Sequence, residues 1–239
     1  MTTANIPLPR EQIERIVRQI LREQLASEIG DRHHFPNDEK WSQSPISALA
    51  PNLVVNMSAR HMHVTQADLE KLFGPGASLS VYRWLYQPGE FASEQTVTVI
   101  GPRRRMIENI RILGPVRKYS QLEISFTDAV SLGVEAPVRP SGKIEGTPGM
   151  LVLGPKGSLE LPHGVIRAQR HVHMSPADAA AFGFADGQYV RLRVDSPCAL
   201  TLERVLCRVD PKVLLEVHLD TDEGNACDLV NATNVELLP

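Results

Sequence analysis

The chain lacks the features that would place it in several large classes of protein. It has three cysteines, Cys198, Cys207 and Cys227, without a CxxC spacing, so reduced thiols are expected. No apolar run approaches the roughly 18 residues that a membrane span needs, and the N-terminus has no secretory signal pattern. A net charge of −3 argues against generic binding to nucleic acid or membranes. We therefore expect a cytosolic protein with neither of these partners.

The first thirty residues predict an amphipathic helix. Apolar residues recur at helical spacing from Ile13 to Leu25, Pro9 suits the first turn and Gly30 suits the end. Residues 31–50 are polar and contain prolines, which is typical of a flexible linker. A short helix on such a tether needs a partner surface. That surface is either another protein or the chain itself, by packing back or by forming a coiled coil.

Beyond residue 50 the chain consists of short strand-like segments separated by Gly and Pro, typical of all-β barrels or sandwiches. Nearly the same nine residues occur twice, 110 residues apart: RHMHVTQAD at 60–68 and RHVHMSPAD at 170–178. The repeat predicts two related β modules rather than one large sheet.

Four of the eight histidines lie in this repeat, as two His-x-His pairs. Each pair precedes a helix start, in which Ser or Thr stands three residues before an acid. Residues two apart on a strand point to the same side, so each pair presents two imidazoles together. A matching ligand-x-cap-x-x-acid pattern occurs in EISFTD and HLDTDE. The candidate metal ligands are His61, His63, Glu123, His171, His173 and His218.

Five histidines and one glutamate are enough for two divalent metal ions with positions left open for water or substrate. Zinc is the expected metal, because it accepts His and carboxylate ligands. The alternative interpretation is surface or packed histidines, which a single His-x-His pair would favour. Two pairs in one frame and two matching turns favour metal. His163, between Pro162 and Gly164, is interpreted as a turn residue.

A cationic segment, residues 101–125, lies between the two repeats. Arg117 precedes Glu123 by six residues, so a tight turn brings its guanidinium near the proposed ligands. Arginine binds phosphate through two parallel hydrogen bonds. The run Arg103, Arg104 and Arg105 is equally consistent with a solvated loop. The chain has no P-loop or GxGxxG motif, and no Ser-His-Asp or Cys-His arrangement that calls for an acyl-enzyme.

Several segments in order resemble the PduL-type phosphotransacylases, the phosphate propanoyltransferases of bacterial microcompartments: MSARHMHVT, QPGEFASEQTV, ILGPVRKYSQLEIS, RHVHMSPADA and DTDEGNA. The resemblance runs from about residue 50 to the C-terminus. It implies a centre of two divalent ions on the six ligands, with Arg117 as the phosphate-binding, catalytic arginine. Arg83 departs from the family pattern, which has Lys there. The coenzyme A site implied by the resemblance comprises Ser58, Arg83, Arg111, Leu113 and Asn225.

The same resemblance implies a mainly β fold of two β-barrels capped by short α-helices. The first barrel would take residues 51–60 and 168–239, and the second residues 61–167. Residues 1–30, followed by the linker 31–50, resemble an encapsulation peptide that docks enzymes to microcompartment shell or cargo proteins. The expected location is therefore the lumen of a bacterial microcompartment in the cytoplasm.

The expected function is a metal-dependent phosphate acyltransferase. It would interconvert propanoyl-CoA or acetyl-CoA plus phosphate with acyl phosphate plus CoA. One alternative is a metal-dependent hydrolase of thioesters or phosphoesters, and another is a non-catalytic shell adaptor with structural metals. The sequence leaves open the acyl group, the metal and whether the chain forms a homo-oligomer.

Overall fold

The computed structural model describes residues 53–239, which are mainly β, as predicted. The predicted N-terminal helix and linker lie outside these residues. The strands are β1 (Val54–Ser58), β2 (His61–His63), β3 (Val81–Trp84), β4 (Phe91–Ile100), β5 (Met106–Gly114), β6 (Gln121–Glu123), β7 (Val138–Arg139), β8 (Met150–Leu153), β9 (Ser158–Leu161), β10 (Val165–Ala168), β11 (His171–Met174), β12 (Tyr189–Asp195), β13 (Leu200–Val209), β14 (Glu216–Asp220) and β15 (Asn234–Leu238).

The strands form two curled, half-barrel sheets, which confirms the prediction of two β units. The six-stranded sheet has the order β1-β14-β11-β13-β12-β15. The nine-stranded sheet has the order β7-β10-β6-β2-β5-β4-β8-β9, with β3 paired to β4. Each His-x-His strand, β2 or β11, is therefore an interior strand with a neighbour on both sides. Pairing on both sides holds its register and the direction of its side chains.

The strand that precedes each His-x-His pair belongs to the other sheet. β1 runs parallel to β14, with Asn56 opposite His218, and the chain then enters β2. β10 runs parallel to β6, with Ile166 opposite Glu123, and the chain then enters β11. The sequence repeat is thus a structural repeat whose halves exchange their leading strands. The domain boundaries at residues 60, 61, 167 and 168 stay a prediction.

Each sheet buries its own apolar cluster. Along β12, Val190, Leu192 and Val194 are buried while the residues between them are exposed, as the two-residue period of a strand requires. On β5 in the larger sheet, Ile110 and Ile112 are likewise buried, with the half-buried Arg111 between them. Each such side chain contributes roughly 1.5–3 kcal/mol on burial. The two His-x-His strands are therefore anchored in separate cores.

Four short helices each begin directly after one of the strands that carry the predicted ligands. In all four, the N-cap side chain accepts a hydrogen bond from the backbone N–H three residues later, as the sequence predicts. None of the helices within residues 53–239 is long and apolar enough to cross a membrane. The helices are α1 (Gln66–Phe73), α2 (Phe126–Leu132), α3 (Pro176–Phe182) and α4 (Thr221–Ala226), with N-caps Thr65, Ser125, Ser175 and Asp220.

Candidate metal centre

The first group of predicted ligands, His61, His63 and Glu123, is brought together by β2 and β6. These strands are antiparallel and place His61 directly opposite Glu123. Nε2 of His61 lies 3.5 Å from Oε2 of Glu123, and Nε2 of His63 lies 3.9 Å from Oε1 of the same carboxylate. All three side chains are buried. One donor atom from each lies within 4.8 Å of the others, so the three donors converge on one position.

The carboxylate of Glu123 is held in place by its neighbours. Gln121, two residues earlier on β6, donates a hydrogen bond of 2.5 Å from Nε2 to Oε1 of Glu123. Ser141 donates a second one, of 2.8 Å, to the same oxygen. The other oxygen, Oε2, is the one that faces His61. The carboxylate is therefore oriented toward the histidines by its own hydrogen-bond partners.

The second group, His171, His173 and His218, is built in the same way by β11 and β14. His171 lies directly opposite His218 across this antiparallel pair. Nε2 of His171 is 3.2 Å from Nε2 of His173, and the rings of His171 and His218 are stacked with centroids 4.9 Å apart. The donor atoms of this group also lie within 4.8 Å of one another. The sequence repeat thus yields two three-donor groups of the same construction.

The first histidine of each pair is oriented by the backbone two residues before it. Nδ1 of His61 lies 2.8 Å from the carbonyl oxygen of Ala59, and Nδ1 of His171 lies 2.9 Å from that of Gln169. A carbonyl only accepts hydrogen bonds, so the proton is assigned to Nδ1 in both rings. Nε2 is left with its lone pair available, which is the form that binds metals.

Burial keeps several of these imidazoles neutral. Desolvation, with the neighbouring His61 and Arg117, lowers the pKa of His63 well below its usual value. Desolvation and the two other histidines of its group do the same to the pKa of His171. Desolvation first, then His218, lowers the pKa of His173 to about 4. Near neutral pH these rings are uncharged and able to act as ligands.

The residues present fit divalent cations on two further observations. Within the described residues, Nδ1 of His63 is buried and makes no hydrogen bond. The buried Nε2 of His218 makes none either, although a carboxylate oxygen of Glu216 lies 3.0 Å from it. Burying a polar atom without a hydrogen bond costs free energy, so an additional partner is expected at the first group, and a positive charge near the carboxylate at the second. Imidazole nitrogens and a carboxylate oxygen are the donors that Zn²⁺ and related divalent metals accept.

The backbone of Arg117 lies next to the strand that carries the first group. Its backbone N–H donates a hydrogen bond of 2.8 Å to the carbonyl oxygen of Val64, one residue after His63. Its guanidinium donates one of 3.0 Å to Glu90 and is only 26% exposed. Its positive charge is one of the causes that lower the pKa of His63, after burial and the neighbouring His61.

Comparison with known proteins gives one consistent family name. A family model, PTAC: Phosphate propanoyltransferase, matches residues 54–230. The chain belongs to the phosphate propanoyltransferase family. It is 51% identical to the "Phosphate propanoyltransferase" of Planctopirus limnophila, over 97% of this chain and 92% of that protein. Proteins of the same name from Thermotoga maritima and Salmonella typhimurium are 49% and 47% identical over 75% and 74% of this chain, and 85% and 84% of those proteins. Membership supports a phosphate acyltransferase activity.

Three of the residues expected at the coenzyme A site of such a family member lie in the nine-stranded sheet. Arg83 on β3 and Leu113 on β5 both pair with Ala92 on β4, so they lie in one row across three strands. Arg111, two residues before Leu113, pairs with His61. Its guanidinium lies 4.4 Å from the ring centroid of Tyr82, a cation–π contact. These three residues are therefore neighbours on one sheet.

The other two expected coenzyme A residues belong to the six-stranded sheet and its helix. Ser58 ends β1 and lies opposite Asp220, two residues after His218. Asn225 is exposed on α4, the helix that follows β14. Both lie at the end of the strand that carries the last histidine of the second group.

Glu216 and Gln87 lie beside the second group, although neither is among the predicted site residues. Glu216 is buried two residues before His218, with one of its carboxylate oxygens 3.0 Å from Nε2 of that ring. Gln87, from the nine-stranded half, donates a hydrogen bond of 2.6 Å to this carboxylate. Strand alternation places Glu216 and His218 on the same side, so the Glu-x-His spacing was a usable signal. Gln87 had no local signal, because its contact spans 129 residues of chain.

Proposed function

We propose that this protein is a metal-dependent phosphate acyltransferase. It interconverts a short-chain acyl-CoA, propanoyl-CoA or acetyl-CoA, plus phosphate with acyl phosphate plus CoA. The single observation that carries the proposal is the pair of matched three-donor groups, with Arg117 beside the first. Family membership supports the reaction class.

Two divalent cations, with zinc as the expected metal, would be held by the two groups. When bound, they supply positive charge that offsets the repulsion between phosphate and CoA, two anions that must meet. The protein's own contribution is to hold the donors in place before binding, through the paired strands and the hydrogen bonds to Glu123. The metal ligands are His61, His63 and Glu123 in one group, and His171, His173 and His218 in the other.

Arg117 binds phosphate and orients it for attack. Its guanidinium presents paired N–H donors that match two phosphate oxygens. A phosphate oxygen then attacks the thioester carbonyl carbon, the C–S bond breaks, and CoA leaves as the thiolate. The pKa of a thiol is about 8.5, so this leaving group needs little help from an acid. Positioning of the two reactants accounts for much of the rate enhancement we expect.

Direct transfer, without an acyl-enzyme, is supported by the state of the two buried cysteines, Cys207 and Cys227. Burial raises the pKa of Cys207 to about 11 and also raises that of Cys227. A buried thiol with a raised pKa is a poor nucleophile, because the thiolate is the reactive form. Burst release of CoA in the absence of phosphate would show that an acyl-enzyme forms.

The proposed coenzyme A site takes residues from both halves of the chain. The cationic side chains Arg83 and Arg111 suit the phosphate groups of the nucleotide. Arg111 is already oriented, by its hydrogen bond of 2.6 Å to the carbonyl oxygen of Ser93 and by its contact with Tyr82. The other proposed residues are Ser58, Leu113 and Asn225.

The decisive experiment measures products and metal together. Purified protein is given propanoyl-CoA with and without phosphate, and both released CoA and acyl phosphate are quantified. We expect phosphate-dependent CoA release with an equal amount of acyl phosphate, whereas a hydrolase would form free acid. Turnover should stop after complete removal of divalent metal and return when zinc is added. Full activity in a metal-free preparation would contradict the proposal.

Variants of two histidines separate catalysis from folding. His173→Ala should abolish turnover while the far-ultraviolet circular dichroism spectrum stays close to that of the wild type. His163 is exposed and belongs to neither group, so His163→Ala is the matched control and should keep full activity. A structural-metal adaptor would instead show no turnover in the wild type and would unfold on His173→Ala substitution.

We propose further that residues 1–30 dock the enzyme to microcompartment shell or cargo proteins, which places it in the lumen. The support is the amphipathic sequence pattern from Ile13 to Leu25. In the full chain, Ile16→Asp should abolish co-purification with shell particles and leave turnover intact. Glu14→Lys, on the polar face, is the control. Unchanged co-purification of Ile16→Asp would contradict docking through this face.

A further inference from the structure

Glu216 is a carboxylate at the start of β14 that is only 2% exposed. Asn56 donates a hydrogen bond of 2.5 Å to its Oε1, and Gln87 donates one of 2.6 Å to its Oε2. Both donors are neutral amides. Within the described residues, the only ion-pair partner of Glu216 is His218, whose Nε2 lies 3.0 Å from Oε2.

An ionised carboxylate in this position needs a nearby positive charge. Neutral hydrogen bonds satisfy its lone pairs but leave most of the cost of removing the charge from water, which is several kcal/mol per ion. Glu216 lies directly opposite His173 across the strand pair, so the second group surrounds it on two sides. A cation held by that group would supply the missing charge.

The structural repeat gives Glu216 a counterpart. Gln121 lies opposite His63 on β6, just as Glu216 lies opposite His173 on β14. In the first half the carboxylate follows two residues later, at Glu123. In the second half, the position equivalent to Glu123 is occupied by His218, and the carboxylate is at Glu216, the position equivalent to Gln121. Each half therefore keeps one buried carboxylate beside its histidines.

We infer that Glu216 is the positioning and charge-balancing carboxylate of the His171, His173 and His218 group. Its carboxylate lies 3.0 Å from Nε2 of His218, where it restricts the position of the ring and supplies negative charge that helps to retain a divalent cation in this group. Metal-binding histidines commonly have such a carboxylate partner, and its loss weakens metal affinity by about 10–100-fold. The inference rests on the proposed metal dependence. Through the hydrogen bond from Gln87 to Glu216, the first half of the chain also helps to position this carboxylate.

The test uses the full chain with the substitution Glu216→Gln. Zinc per chain is measured after dialysis against a graded series of chelator concentrations. At intermediate chelator concentrations, the wild type should retain two zinc ions per chain and Glu216→Gln only one. The affinity of the second group for zinc should be about 10–100-fold lower in Glu216→Gln than in the wild type. Glu216→Asp keeps the charge and should retain more zinc than Glu216→Gln does. Glu160→Gln, an exposed glutamate on β9, is the control and should match the wild type.

Thermal unfolding with and without zinc separates this role from a purely structural one. Without metal, Glu216→Gln removes an uncompensated buried charge, so its unfolding temperature should equal or exceed that of the metal-free wild type. With zinc, it should unfold below the zinc-bound wild type. Equal destabilisation in both states, or unchanged zinc retention, would overturn the inference. If Glu216→Gln does not fold, Glu216→Asp decides the question. The inference stands if Glu216→Asp folds and retains more than one but fewer than two zinc ions per chain, and it fails otherwise.

The two proposals fail in distinguishable ways. If the wild type binds no divalent metal, the proposed function and this inference fail together. If the wild type binds two zinc ions and is active while Glu216→Gln behaves identically, only the inference fails.

Discussion

The guanidinium of Arg117 donates a hydrogen bond of 3.0 Å to the carboxylate of Glu90. Glu90 therefore accepts a hydrogen bond from a guanidinium N–H of Arg117 that, in the proposed reaction, is donated to phosphate. The pair is partly exposed, at 26% and 38% of the two side chains, and such a pair is worth about 0.2–1 kcal/mol. Glu90→Gln should lower the KM for phosphate by a factor of up to about five, measured in the CoA-release assay.

The control for this prediction is Glu94→Gln, which removes the same charge from an exposed position on β4 and should leave the KM for phosphate unchanged. An unchanged or higher KM for phosphate in Glu90→Gln would show that Glu90 does not compete for Arg117. A raised KM in particular would assign Glu90 the role of holding Arg117 in its binding position.

The metal-free protein should lose stability as the pH falls. Burial lowers the pKa of His63 and His171, and that of His173 to about 4. The unfolded chain takes up these protons near pH 6.5, so it binds more protons than the folded chain between about pH 6.5 and 4. The free energy of unfolding should be highest above about pH 7 and decline through this window. His173 alone would account for up to about 3 kcal/mol of the decline.

Urea unfolding of metal-free protein at a series of pH values from 7 to 4 checks this expectation. His173→Gln removes one of the titrating groups and should make the decline with pH less steep. The exposed His163 is the control, since His163→Gln should leave the slope as in the wild type. Stability that is constant or rises from pH 6.5 to 4 would contradict neutral, buried imidazoles in the folded state.

The helix cap after the second His-x-His pair should contribute measurably to stability. Ser175 accepts a hydrogen bond of 3.1 Å from the backbone N–H of Asp178, whose carboxylate accepts one of 3.0 Å from the N–H of Ser175. Ser175→Ala should lower the free energy of unfolding by about 1 kcal/mol, as for N-caps in general. Chemical denaturation measures this, with the exposed Ser158→Ala on β9 as control. An equal effect of both substitutions would contradict the capping role.

Arg83 should affect coenzyme A and not phosphate. Arg83→Ala removes an exposed charge on β3 from the proposed CoA site. A hydrogen bond to a charged group contributes about 1.5 kcal/mol or more, so the KM for acyl-CoA should rise about ten-fold. The KM for phosphate should not change, and Arg83→Lys should restore most of the affinity. A parallel rise in both KM values would place Arg83 outside the coenzyme A site.

Local patterns were enough to predict a mainly β fold and the set of candidate ligands. A two-residue period places both histidines of a pair on one side of a strand, and Ser175 three residues before Asp178 is a helix start in any fold. The six candidate ligands lie at such local signals, and the repeat itself indicated two related β units. Arg117 was predicted from its short distance in sequence to Glu123.

The amino-acid sequence by itself thus determined which side chains are presented at the strand ends, because these features depend on neighbours two to six residues apart. Only the tertiary structure decided that Glu123 joins His61 and that His218 joins His171, since strand pairing over long separations sets those partners. It also decided that Gln87, from the other half, donates a hydrogen bond to Glu216. A contact that spans 129 residues of chain depends on how the two halves exchange strands, and no local pattern encodes it.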